Sequence, residues 1–432
     1  MPAEPTPPDS YALRGCIVSF DAEDDTPTVF DDGAVVVSRG RIAAVGPAAL
    51  LDAHPGIETL DHRGRLILPG FIDTHAHYVQ TQVIGSYGKQ LLDWLGGYVF
   101  PEEARAADPA HAATLAGFFL DELLRNGTTS VCAYSSVHAA AADALFAAAA
   151  SRGMRLISGK TMMDRNAPPE LCDTAQTGAA ESVALLSRWH GQGRAGYAIT
   201  PRFAITSTPA QLEASAALVR AHPECWVQTH LSENHAEIAT ACGLYPEARD
   251  YTDIYDRHGL LTERTLLGHC IHLSDRELDV IARRRSVAVF CPTSNLFLGS
   301  GLFDLARMRA AGVRLSLATD IGGGTDYSML RTAAEAYKIL QLQGQSWPAR
   351  AAFRLMTRGN AEALGLAGEI GRIAPGLAAD LVVLDPRATP AMAHRADRPM
   401  RDLDETLFML MTMGDDRAVA ETIVGGRRVA RH

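Results

Sequence analysis

The chain has 432 residues, 47% of them hydrophobic and 6% aromatic, with a formal net charge of −10. That length allows one large core plus a smaller domain, since a (β/α)8 barrel needs about 250 residues. The acidic balance argues against nucleic-acid and anionic-membrane partners, and the short basic clusters Arg283, Arg284, Arg285 and Arg427, Arg428 read as solvated surface.

In chain order, MPAEPTPPDS is Pro-rich and lacks the basic and apolar regions of a signal peptide, so residues 1–10 are expected to form a frayed tail. Residues 11–68 read as short strands and hairpins, with Arg39-Gly40 as a turn, and residues 376–432 read the same way, turning at Gly425-Gly426. Two strand-rich ends imply one composite β-sandwich domain. Between them, over residues 69–375, short β-rich runs alternate with Ala/Leu/Glu-rich helical stretches. The strand runs are LILPGFIDTHAH, TTSVCAY, MRLISGKTMM, GYAITPRF, CWVQTHL, TLLGHC, SVAVFC and VRLSLATD. Eight such runs predict an α/β fold, a closed parallel (β/α)8 TIM barrel. The longest apolar stretch, residues 139–150, is mostly Ala, contains Asp143 and is too short to span a bilayer. Seven scattered cysteines with no CxxC pair imply reduced thiols and a cytoplasmic protein.

Barrel enzymes carry their catalytic groups at the C-terminal ends of the strands. His75 and His77 end the first run, His230 the fifth, His269 the sixth and Asp320 the eighth. Alternation along a strand puts Asp73, His75 and His77 on one face. Alone, a histidine at a strand end is more often a satisfied polar residue. Five such groups at the ends of four strands point instead to a divalent metal, zinc being the ion that imidazoles and a carboxylate suit. A bound metal lowers the pKa of water from 15.7 to about 7. Asp320 can then take a proton from that water, and Glu233, three residues past His230, can protonate a substrate. His111, His138, His235 and His272 fall in helical or loop stretches and read as surface or packing residues. Cys132 and Cys291 read as small buried hydrophobes. The GGGT run after Asp320 lacks the Lys of a phosphate-binding loop, and its glycines are expected to let backbone pass close to the site.

These motifs, with QLLDWLGGYVFPEE, GKTMMDRNAP, ITPRFA, THLSEN, GHCIHLS and CPTSNLFLGSG, resemble the amidohydrolase superfamily and, more narrowly, the bacterial guanine deaminases. The resemblance covers nearly the whole chain. It implies one zinc per subunit held by His75, His77, His230 and Asp320, with His269 orienting the hydrolytic water. It further implies that Glu233 protonates ring atom N3 of guanine while the activated water attacks C2, giving xanthine and ammonia in purine catabolism. Gln80, Arg202 and Phe203 match positions that hold the base: the amide reads a ring edge, Arg donates to the O6 carbonyl and Phe stacks. His230, Glu233 and Asp320 would also touch the base. A homodimer and a small-molecule substrate follow from the same resemblance. Binuclear relatives carry a carboxylated Lys, for which Lys160 in SGKTMM is the only candidate, and the mononuclear pattern is expected here. The competing readings are another deaminase of this superfamily, acting on cytosine, an adenosine-type, aminopterin or triazine ring, and a non-catalytic metal-binding scaffold. The Leu/Trp/Tyr-rich segment after His77 is expected to cover the pocket or to pack on the barrel mouth.

Overall fold

The computed structural model describes residues 10–21, 24–87 and 90–429. The tail expected over residues 1–10 lies outside them except for Ser10, which already belongs to a strand. Four strands open the chain: β1 (Ser10–Ser19), β2 (Thr28–Ser38), β3 (Arg41–Pro47) and β4 (Thr59–Pro69). Nine follow: β5 (Phe71–His77), β6 (Thr128–Tyr134), β7 (Arg155–Gly159), β8 (Thr161–Met162), β9 (Ala195–Pro201), β10 (Trp226–Leu231), β11 (Thr265–His269), β12 (Val287–Phe290) and β13 (Arg314–Leu317). Three more close it: β14 (Leu381–Leu384), β15 (Val419–Val424) and β16 (Arg427–Arg428).

The two chain ends form one seven-stranded sheet in the order β16-β15-β14-β4-β1-β2-β3. Its pairings are antiparallel except for β1 with β4. Arg39 and Gly40 turn the β2–β3 hairpin with positive φ at both residues, and Gly425 and Gly426 do the same for β15–β16. One face buries Leu13, Ile17, Val35, Ile67, Leu381 and Val383 in a continuous apolar core.

The other sheet runs β13-β12-β11-β10-β9-β7-β6-β5, with β8 pairing β9, and its registered ladders are parallel. Every residue of β5 and β6 is buried, as expected of parallel strands covered on both faces. Helices alternate with these strands, so the barrel read from the sequence is present. Closure between the first and last strands comes from just beyond β13. Asp320 N–H donates to His75 O at 2.8 Å and His77 N–H to Ile321 O at 2.9 Å. The Asp73 carboxylate accepts from the Thr319 N–H at 3.1 Å and from the Thr319 hydroxyl, tying the two ends together beside the site.

One strand differs from the sequence reading. LILPGFIDTHAH is not continuous but breaks at Gly70, between β4 of one sheet and β5 of the other. A Cβ at Gly70 would lie 2.3 Å from the Thr129 hydroxyl oxygen, so only glycine passes there. By contact density the chain separates into two units, one of residues 1–72, 123–130 and 347–432, the other of residues 73–122 and 131–346. Among the described residues no helix is long and apolar enough to cross a membrane.

Candidate functional site

The parallel registers bring the histidines together. His230 pairs with Gly268 and Leu231 with His269 across β10 and β11. Gly268 is glycine for a reason, since a Cβ there would meet the His75 ring at 2.7 Å. As a result the His77 Nε2 lies 3.3 Å from His75 Nε2 and 3.2 Å from His230 Nε2. Asp320 Oδ1 lies 3.3 and 3.4 Å from the same atoms of His75 and His77. Among the described residues, Ser232, His269, Cys270 and Asp320 account for four of the seven non-glycine residues with positive φ, so backbone strain gathers where the chain aims these groups.

The donor set fits a divalent cation. His230 Nδ1 lies 2.8 Å from the Arg202 carbonyl, to which only an N–H can bond, so the His230 Nε2 is a bare lone pair. Burial pushes His75, His77 and His230 below the ordinary imidazole pKa, the latter two furthest. Converging neutral imidazole nitrogens repel one another unless something positive sits among them. Asp320 is the matching carboxylate. Burial would raise its pKa, but His75 and His269 hold it below the usual range.

His269 is different in kind. Burial opposes its charge, yet Glu233 and Asp320 raise it above the ordinary value. Its Nε2 stands 3.3 Å from Glu233 Oε2 and 3.8 Å from Asp320 Oδ2, and its Nδ1 is 3.0 Å from Asn295 Oδ1. By donor spacing alone His75, His230 and His269 form one group able to hold a metal, and His75, Cys291 and Asp320 another. Burial pushes the Cys291 thiol up.

Glu233 sits just before a helix whose start is doubly capped. Asn234 accepts from the Ala236 N–H at 2.8 Å, and the Glu237 carboxylate accepts from the N–H groups of Glu233 and Asn234 at 2.8 and 3.1 Å. The Ser300 hydroxyl donates to Glu233 Oε1 at 2.9 Å. Burial drives the Glu233 pKa to about 7, with His269 opposing and Glu237 and Asp320 adding. A carboxyl tuned to that range can both give and take a proton at neutral pH.

A cavity opens onto these groups. Of the nine residues singled out from sequence, His77, Gln80, Arg202, Phe203, His230, Glu233, His269 and Asp320 line it, and His75 lies behind His77. Leu91, Trp94 and Leu95 also line it, so the segment after His77 forms part of the pocket wall. The Trp94 indole N–H is buried without a partner among the described residues. The GGGT glycines do press against the site: a Cβ at Gly322 would stand 2.0 Å from Gln80 Oε1, and one at Gly324 would stand 1.9 Å from Thr319 O.

Lys160 is elsewhere. Its ammonium is fully buried, 2.5 Å from Asp173 Oδ2 and 3.3 Å from Glu181 Oε2. His111, His138, His235 and His272 stay out of the histidine cluster, His235 and His272 stacking on each other with ring centroids 3.9 Å apart.

Several residues at the site were not singled out from sequence. Tyr134 ends β6 and stacks on His77 with centroids 4.5 Å apart, also touching His75 and His230. Its place at the C-terminal end of a barrel strand was the available signal. Asn295 and Ser300 lie within CPTSNLFLGSG, but their partners are fixed only by loop geometry. Glu103, in FPEE, is fully buried and accepts from Arg202 and Gln80, whereas a charged pair of glutamates in a helix ordinarily reads as surface.

Comparison with known proteins agrees with this fold. The chain is 44% identical over 427 residues to a protein named guanine deaminase from Escherichia coli (strain K12), covering 97% of each. It superposes on a solved E. coli guanine deaminase with TM-score 0.95 at 43% identity, covering 98% of this chain and 100% of that one. A solved guanine deaminase from C. acetobutylicum, with guanine bound in its active site, matches with TM-score 0.89 at 29% identity over 98% of this chain and 100% of that one. Residues 66–429 match the amidohydrolase family, and the chain belongs to that family.

Proposed function

We propose that this protein is a guanine deaminase, hydrolysing guanine to xanthine and ammonia with one zinc ion per subunit. The carrying observation is a cavity lined together by His77, His230, Asp320, Glu233, Gln80, Arg202 and Phe203, with His75 converging on His77 and Asp320. The extent of identity to proteins bearing that name supports the same reading. When bound, zinc supplies a water that ionises near neutral pH.

The chain's residues do the rest. Phe203 and Trp94 are apolar walls for a flat heterocycle, while Arg202 donates to its carbonyl. His269 holds the attacking water, and Asp320 takes its proton. Glu233 delivers a proton to ring N3 as the C2–O bond forms. The C2–N bond then breaks, the proton held by Asp320 leaves with ammonia, and the C2 hydroxyl proton returns to Glu233 as the C2 carbonyl forms. A Glu233 pKa raised to about 7 by burial keeps the acid form available at neutral pH, which supports this assignment. We extend the proposal to a role in purine catabolism, a cytoplasmic location, consistent with the free cysteines among the described residues, and a homodimer, which sedimentation would test.

The test is turnover of guanine by zinc-loaded protein, following xanthine and ammonia together, with cytosine and adenine as controls. Glu233→Gln should keep the metal and lose about 10²–10⁴ of the rate. Absence of guanine turnover in protein holding one metal per chain would refute the substrate, and undiminished activity of the variant would refute the role of Glu233.

A further inference from the structure

Glu103 is the least expected group near the cavity: a carboxyl with no solvent exposure, on the short helix Phe100–Ala104, that does not itself line the pocket. Its Oε1 accepts from Gln80 Nε2 at 2.8 Å and from Arg202 Nη1 at 2.7 Å, and its Oε2 accepts from the same Nη1 at 2.8 Å. The Phe100 ring, three residues earlier, lies 5.7 Å from the Arg202 guanidinium. One turn of chain therefore grips both polar residues of the pocket wall.

We propose that Glu103 is a positioning residue that sets the hydrogen-bonding polarity of the cavity, so that the site selects a neutral lactam edge, a ring carbonyl beside a ring N–H. This rests on the reading of Gln80 and Arg202 as base-holding residues. An amide has a donor end and an acceptor end, and by itself Gln80 could present either. Turning its oxygen toward Glu103 would oppose two acceptors in a dry site, so the NH2 end is committed to the carboxylate. The acceptor end, Oε1, is what remains for a ligand. Gln80 lines the cavity, and Gly322 packs against its amide closely enough that a Cβ there would fall 2.0 Å from that oxygen. Arg202 can only donate. The wall thus shows a donor next to an acceptor, the complement of C6=O beside N1–H.

An edge with a ring-nitrogen acceptor beside an amino group, as in adenine, meets like against like. The ion pair with Glu103 also balances the Arg202 charge, so the wall has no net pull on an anion. That suits release of xanthine, whose second oxo group makes it a stronger acid than guanine.

The test measures calorimetric binding of hypoxanthine and 1-methylhypoxanthine to the zinc-loaded protein, alongside guanine turnover. Wild type should prefer hypoxanthine by about 100-fold, the effect of leaving one buried acceptor unpaired. Glu103→Gln, with metal content unchanged, should bring the two ligands within about tenfold, because Gln80 can then turn either way. Should that variant fold poorly with Arg202 left unpaired, Glu103→Gln/Arg202→Met removes the stranded charge and should show the same loss of preference. Equal binding of the two ligands by wild type, or full preference retained in either variant, would overturn the proposal. Guanine turnover without the preference would sink the role of Glu103 alone. The preference without guanine turnover would sink the substrate and leave Glu103 standing.

Discussion

Replacing Lys160 by Gln separates a structural lysine from a metal-bridging one. The Lys160 ammonium is fully buried and faces the Asp173 carboxylate at 2.5 Å, the Glu181 carboxylate at 3.3 Å and the Thr161 carbonyl at 3.5 Å. The Glu181 side chain is 48% exposed, so its share of the pairing is screened and small. Asp173 is the costly partner, because its side chain is only 10% exposed and one remaining bond, from Gln211 Nε2 at 3.0 Å, cannot replace an ammonium. Removing one member of a buried pair costs about 3–5 kcal/mol.

The pH dependence has a definite sign. Burial raises the Asp173 pKa and Lys160 pulls it down, leaving it above the ordinary value. Between the unfolded and folded pKa values the native state binds the extra proton, so this contribution to stability falls as pH rises. Without Lys160 the upward shift grows. The deficit of Lys160→Gln should therefore be largest at neutral pH and shrink on acidification. Urea unfolding from pH 5 to 8, with metal analysis and guanine turnover on the same samples, reads all three quantities. Loss of metal or turnover at undiminished stability would show that Lys160 serves the metal centre and would refute the reasoning.

Two further perturbations bear on the site. Ser300→Ala removes the hydroxyl that favours the charged form of Glu233, so its pKa should rise. The alkaline limb of kcat/KM should then move upward by at most about one unit, equivalent to about 1.4 kcal/mol, and a downward shift would contradict the assignment. Gly324→Ala puts a Cβ 1.9 Å from Thr319 O and 2.8 Å from Asp320 O, forcing the loop that aims Asp320 to move. Metal affinity should fall about 10–100-fold with circular dichroism unchanged, and wild-type affinity would show that the loop has room.

Much of this molecule was legible from the chain alone. Eight apolar runs separated by helical stretches specify a barrel because parallel strands must be covered on both faces. Chemistry-bearing residues at run ends then specify which face carries the site. His75, His77, His230, His269, Asp320 and Glu233 each stand at or just past such an end, so strand periodicity was enough to group them. The cut at Gly70 was not legible, because the residues on both sides are apolar and extended whichever sheet they join. Nor were the groups that hold the others. Tyr134 behind the imidazoles, Asn295 on His269, Ser300 on Glu233 and Glu103 on Gln80 and Arg202 act across separations of 23 to 99 residues where a bond is recorded. Local pattern determines which residues face inward. Which buried carboxylate meets which arginine depends on loops whose geometry exists only once the barrel has closed.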